Sequence, residues 1–204
     1  MIKTFIKNIF FTVFAHFIVR SGDKRYIYLT FDDGPHPVIT QKVIDMLGLH
    51  AVHATFFMTG TEMQKYPAIV SAVAAAGHRI AYHGYSHTSM KKQSLRDFII
   101  DIQKARAISN SCGVKLDLYR PPYGDLSLGG FIYLILSGWK TIMWSLDSRD
   151  SFDSEQQVVD NITADRIKPG EIILFHDDYE KTVNVLRRLL PSYKQKQLFI
   201  STEF

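Results

Sequence analysis

Two histidines four residues apart, His83 and His87, and two adjacent acids, Asp32 and Asp33, are the groups in this chain best suited to holding a cation. On a helical turn, i, i+4 spacing turns both imidazoles to one side, where they can grip one metal. Taken alone, that spacing arises often by chance. A carboxylate from Asp32 or Asp33 completes a set of two histidines and one aspartate. Such a set leaves a coordination position for water, as in a catalytic centre. Imidazole with carboxylate suits zinc, with cobalt, nickel or manganese as substitutes. Zinc lowers the pKa of a bound water from ~15.7 to about 7. The remaining aspartate can take that water's proton as general base. Arg120 can orient this carboxylate and keep it ionised through a bidentate pair. His176 can protonate a leaving group, and Asp150 can hold it charged, since a neighbouring anion raises a histidine's pKa. Together these groups fit hydrolysis of an acyl bond. An amide needs the acid most, because its nitrogen leaves poorly without a proton.

The elements that must position these groups can be read from the apolar pattern. Tyr26-Ile27-Tyr28-Leu29 reads as a buried strand that Gly34-Pro35 ends, placing Asp32 and Asp33 just beyond it. Further strands are expected at 54–58, 79–82, 118–119, 140–144, 171–175 and 197–201, with helices between them. Ser94 with Asp97, and Ser154 with Gln157, are expected to cap two of those helices. Alternating strands and helices imply a parallel sheet with helices outside it, and seven such units point to a barrel. Barrel chemistry sits at the strands' C-terminal ends. Those ends carry Asp32 and Asp33; His83 and His87; Arg120 and Tyr123; Asp147 and Asp150; and His176, Asp177 and Asp178.

With these residues in view, the chain resembles the NodB-homology polysaccharide deacetylases, carbohydrate esterase family 4, from about Tyr26 to Ser201. Five motifs carry the resemblance: Thr30-Phe31-Asp32-Asp33-Gly34-Pro35, His83-Gly84-Tyr85-Ser86-His87, Arg120-Pro121-Pro122-Tyr123-Gly124, Asp147-Ser148-Arg149-Asp150 and Leu174-Phe175-His176. Each is weak alone, and five in order are specific. The resemblance implies a distorted, incomplete (β/α)7 barrel. It implies Asp32 as base, Asp33, His83 and His87 as metal ligands, and Arg120 as partner of the base. It further implies His176 as acid tuned by Asp150, the Tyr123 backbone N–H as oxyanion support, and Leu174 as lining of an acetyl pocket. The implied reaction removes N-acetyl groups from N-acetylglucosamine units of a glycan; a minority of the family removes O-acetyl groups from xylan. Three positions depart from the pattern. Gly84 stands where Ser or Thr is usual, which questions the rigidity of the metal loop. Tyr82 stands where Asn is common. Ser151 replaces a pocket tryptophan, with Phe152 next along as its substitute.

The 204 residues suit one domain, expected at 23–204 behind an N-terminal amphipathic helix at 1–22. That helix is expected because Thr4, Asn8, Thr12, His16 and Arg20 recur opposite Phe10, Phe14, Phe17 and Ile18. It is expected to pack on its own domain, with contact of residues 1–20 with a membrane surface as the rival. The apolar run at 9–19 is too short to span a bilayer, which needs roughly 20 residues, and no small-x-small cleavage site precedes Arg20. The expected location is therefore the cytoplasm or the inner face of the membrane. A net charge of +4, scattered, does not suggest nucleic acid. Cys112, the single cysteine, is read as a small packed side chain near a helix end. His36 is expected in a capping or loop role. His16, His50, His53 and His78 are read as surface or packing residues. Two rival functions fit these residues less well. A two-metal phosphoesterase needs more bridging carboxylates than this rim offers. A glycan-binding relic has only the replaced tryptophan in its favour.

Overall fold

A computed structural model of the chain describes residues 17–204. Eight strands form one sheet: β1 (Ile18–Val19), β2 (Tyr28–Asp32), β3 (Thr55–Met58), β4 (Arg79–Tyr82), β5 (Leu118–Tyr119), β6 (Lys140–Ile142), β7 (Leu146–Asp147) and β8 (Ile172–His176). Their order is β1-β6-β5-β4-β3-β2-β8-β7, and every adjacent pair is parallel. Among the described residues, seven α-helices cover the outside: α1 (Ile39–Leu49), α2 (Gly60–Lys65), α3 (Pro67–Ala75), α4 (Leu95–Cys112), α5 (Leu128–Leu136), α6 (Glu155–Asn161) and α7 (Glu180–Gln195). β6, next to the end strand β1, and β7, at the other end of the order, are far apart in it, yet only residues 143–145 separate them. Four residue steps reach at most about 14 Å, so the sheet must curl until its two edges nearly meet. The connection stitches the gap: Met143 N–H donates to Val19 O, and Ser145 N–H donates to Ile172 O. This is the expected incomplete barrel.

Strand alternation divides the residues between two faces. Leu29, Phe31, Phe56, Ile80, Ile173 and Phe175 join the main core under the helices. Tyr28, Phe57, Ala81, Leu118, Ile142 and Ile172 form a smaller cluster inside the curl. Thr30 and Asp32 share a face with Tyr28, so β2 points them inward. Leu174 and His176 follow Ile172 on β8 in the same way. Register sets their height: Asp32 is level with His176 on β8 and with Phe57 on β3.

Several boundaries differ from expectation. The first strand runs from Tyr28 to Asp32, two residues further along, because Thr30 to Asp32 pair with both β3 and β8. The strand expected at 197–201 is reduced to one bridge, Ile27 to Ile200. That bridge lies just before β2, where Ile27 N–H donates to Phe199 O and Ser201 N–H donates to Ile27 O. The strand expected at 140–144 ends at Ile142, where the chain crosses the seam to form β7. Helix α2 was not anticipated. The Ser154–Gln157 capping box is present, and Ser94 caps α4 by accepting from Asp97 N–H. The expected N-terminal helix lies mostly outside the described residues. At its far end, Ile18 and Val19 are a strand and pair with Thr141 and Ile142 on the open edge of β6. No described helix is long and apolar enough to cross a membrane.

Candidate active site

One ligand atom each from Asp33, His83 and His87 lies within 4.8 Å of the others at the C-terminal rim. Asp33 Oδ1 stands 3.2 Å from His87 Nε2 and 3.6 Å from His83 Nε2. The two histidines do not sit on a helical turn, contrary to expectation. They bracket a loop after β4, and their rings converge because Gly84 (φ 79°) and His87 (φ 50°) turn the backbone through the left-handed region. Asp33 itself has φ 77°. Non-glycine residues in this region are strained and persist where surrounding contacts hold them. The donor set fits a cation on two counts. Asp33 Oδ1 is buried with no hydrogen-bond partner, a costly state unless something else meets it. His83 Nδ1 donates to Arg120 O at 2.8 Å, which leaves the Nε2 lone pair facing the carboxylates. Burial holds His83 neutral, its pKa pushed down to about 3.

Asp32 lies beside this group and is paired differently. Its Oδ1 accepts from Arg120 Nη1 at 2.6 Å, while its Oδ2 faces His83 Nε2 at 3.5 Å. The pair with Arg120 is single, not bidentate as expected. Arg120 spends its other donors on Thr30 Oγ1, Ile142 O and Met143 O, and its guanidinium lies 4.0 Å over the Phe57 ring. This fully buried arginine fills the inside of the curl and delivers one N–H to Asp32. Burial pushes the Asp32 carboxyl above its ordinary value despite Arg120. A carboxylate so placed is a stronger base than one in water.

Across the cleft, His176 Nδ1 donates to Asp150 Oδ1 at 2.7 Å. Asp150 is fully buried, and its Oδ2 accepts from His176 N–H and Thr182 Oγ1. Burial opposes a charge on His176, but the Asp150 hydrogen bond and charge, with Asp32 and Asp33 beyond, raise its pKa to about 9. The next residue, Asp177, faces away from the cleft. Its Oδ1 accepts from Gly34 N–H at 3.0 Å and its Oδ2 takes the Thr40 hydroxyl. It thereby ties the turn carrying Asp33 to the strand carrying His176. Burial pushes its pKa up to about 7.

The cleft between base and acid measures about 320 Å³. Leu174 lies on its floor and is nearly buried, while Tyr123 and the largely exposed Phe152 stand at its mouth. Tyr123 has φ 60°, and its ring lies 4.6 Å from that of His87. Asp147, expected at this rim without an assigned role, also lines the wall, as do Trp144 and Tyr179, which the sequence did not single out. Trp144 lies in the seam itself, which strand patterning does not reveal. Tyr179, edge-on to His176 at 6.1 Å, was signalled only by its place three residues beyond it.

The remaining histidines stand apart. His36 Nδ1 accepts from Val38 and Ile39 N–H at the start of α1. His78 is buried, accepts from Ala54 N–H, and packs edge-on to His53 and Phe56. A larger cavity of about 560 Å³ includes His78, Arg79, Asp117 and Glu203 at the opposite ends of the strands. Arg79 is already paired there with Asp117 and Glu203. Among the described residues the single set of converging metal donors is the one at the rim.

The sequence profile of the family described as polysaccharide deacetylase matches residues 20–128. A chitooligosaccharide deacetylase from Bradyrhizobium sp. (strain ANU 289) is 32% identical over 189 residues, covering 84% of this chain and 86% of that protein. A peptidoglycan-N-acetylglucosamine deacetylase of Bacillus cereus is 32% identical over 179 residues; the match takes in 85% of this chain and 65% of that protein. A crystal structure of a peptidoglycan N-acetylglucosamine deacetylase, in complex with 4-naphthalen-1-yl-N-oxidanyl-benzamide, superposes with a TM-score of 0.85 at 31% identity, over 90% of this chain and 89% of that one. Profile, relatives and curled sheet agree, and the chain belongs to the NodB-homology polysaccharide deacetylases, carbohydrate esterase family 4.

Proposed function

We propose that this protein is a metal-dependent hydrolase that removes N-acetyl groups from N-acetylglucosamine-type residues of an oligo- or polysaccharide, releasing acetate. The observation that carries the reading is the convergence of Asp33, His83 and His87 between an Arg120-paired Asp32 and an Asp150-held His176. The names of the relatives support an amino-sugar substrate. Asp33, His83 and His87 would hold the cation, with zinc favoured and cobalt, nickel or manganese able to replace it. When bound, such an ion makes water acidic near neutral pH and withdraws charge from a carbonyl oxygen.

The chain's own residues supply the rest. Asp32, lifted by burial and fixed by Arg120, takes the proton of the attacking water. The acetyl methyl rests on Leu174, and the Tyr123 backbone N–H donates to the developing oxyanion. His176, charged through neutral pH by Asp150, gives its proton to the departing sugar nitrogen. Without it the amine would have to leave as an anion. Phe152 and Tyr123, at the cleft mouth, offer flat apolar faces for the sugar rings.

The test is acetate release from N-acetylglucosamine oligomers and from acetylated xylan, with each of the four metals supplied. Release from the oligomers is expected. Release from xylan alone would replace the amidase reading with an ester one. Binding of oligomers with no acetate from either substrate would make the protein a glycan-binding relic.

A further inference from the structure

The loop from His83 to His87 supplies two of the three converging donors, yet it is neither helix nor strand. Gly84 and His87 both lie at positive φ, so local propensity does not hold it. Its backbone groups show what does. Gly84 O accepts from Gly60 N–H at 2.9 Å, and Tyr85 O accepts from Thr61 N–H at 2.9 Å, both at the start of α2. The Tyr85 N–H, pointing the other way, donates to Asp101 Oδ2 at 3.0 Å. The other oxygen, Asp101 Oδ1, accepts from the hydroxyl of Tyr82, the residue just before His83, at 2.9 Å.

Asp101 sits on the core side of α4, beside Phe98 and Ile102, and is only 7% exposed. A buried carboxylate is costly to desolvate and persists where donors meet it. The cost is met by two donors that bracket the first histidine. α4 reaches the loop a second time through Lys104, whose Nζ lies 3.9 Å over the Tyr85 ring.

We propose that Asp101 is a positioning residue for the metal site, locking the His83–His87 loop in its ligating conformation through the Tyr85 amide and the Tyr82 hydroxyl. It touches neither substrate nor cation. It acts by removing alternative conformations of a loop whose two histidines must point inward together. This inference rests on the reading of Asp33, His83 and His87 as ligands.

The test is zinc affinity of the folded chain, by competition with a chromophoric chelator, together with the rate of zinc release. Asp101→Ala is expected to weaken zinc roughly 10- to 100-fold, the range for groups that orient ligands, and to speed release. Asp101→Asn should bind zinc nearly as wild type does. Its carbonyl can accept from the Tyr85 amide, and its NH2 can donate to the Tyr82 oxygen. Asp101→Ser, too short to span both partners, gives the same reading as alanine if the alanine chain does not fold. Loss of thermal stability with unchanged zinc affinity in the alanine or serine chain would overturn the proposal. So would an asparagine chain as weak as alanine. Wild-type protein that binds no zinc would remove the metal reading, and this inference with it. Wild-type binding with an unaffected Asp101→Ala chain removes this inference alone.

Discussion

At the scale of single residues, the decisive feature is the different treatment of two adjacent acids. Asp32 is buried, bonded to Arg120 and raised by desolvation; Asp33 leaves an oxygen unpaired toward two histidines. Asp32→Asn is therefore expected to cut acetate release by about 10²–10⁴, the usual range for a lost general base, while metal analysis still finds the ion. Asp33→Asn is expected to lose both. Metal loss in the Asp32 variant would exchange the two roles. The acid makes a separate prediction, in pH. His176 is held charged up to about 9, so activity that needs its proton falls as pH rises through that region. A cation on Asp33 cancels that residue's share and draws the limb somewhat lower. Asp150→Asn removes the principal raising influence and leaves burial, which opposes the charge. The alkaline limb of kcat/KM is expected to move down, checked by a pH–rate profile on an N-acetylglucosamine oligomer. The same linkage makes the His176–Asp150 contribution to stability fully present below about 6.5 and lost as pH rises through about 9.

At the scale of elements, the strands were legible because alternation and apolar runs are local signals, and they carried Asp32, Leu174 and His176 to the right rim. The loops were not. The i, i+4 spacing of His83 and His87 suggests a helical turn, but their convergence comes from positive φ at Gly84 and His87 and from contacts with α2 and α4, which no spacing encodes. β7 was hidden for a similar reason: a two-residue strand past the seam is defined by its partner β8, not by its own pattern. Glycines test how tightly the loops are built. A Cβ at Gly34 would overlap the Asp177 carboxylate, and one at Gly60 would stand 2.7 Å from Tyr85 Cδ2, whereas Gly48, within α1, has open space around it. Gly34→Ala is expected to cost about 1–3 kcal/mol, as overpacking does, and to lose acetate release, because it breaks the tie between the Asp33 turn and β8. Gly48→Ala is expected to gain up to ~1 kcal/mol from helix propensity with activity unchanged. Urea denaturation with an acetate assay checks both. A harmless Gly34→Ala would show that the turn is not clamped as described.

At the scale of the whole molecule, the core and the chemistry are kept apart. The main core lies between sheet and helices, with Phe31 stacked on Phe56 and Phe175, and continues around the curl through buried side chains of all the larger helices. The candidate ligands lie on one rim, on a turn and a loop. Neither Asp33, His83 nor His87 belongs to that apolar core. Thr30 and Arg120 link the two layers: the arginine spans the interior and joins β5 to β2 and to the seam at 142–143 without any help from a cation. A protein built this way should keep its fold when the metal is removed, unlike small domains whose fold depends on the metal. Chelation is expected to abolish acetate release and leave the far-UV circular dichroism spectrum intact. The Tm should fall only by the linkage amount, about 2.7 kcal/mol for zinc at a hundred times its Kd, or roughly 5–11 °C for a chain of this size. Restoring zinc should recover both activity and Tm. Cooperative unfolding on chelation at 25 °C would instead mean that the strained turns at Asp33 and His87 are held by the ion itself. The clamps formed by Asp177, Asp101 and the α2 amides would then be too weak to preform the site.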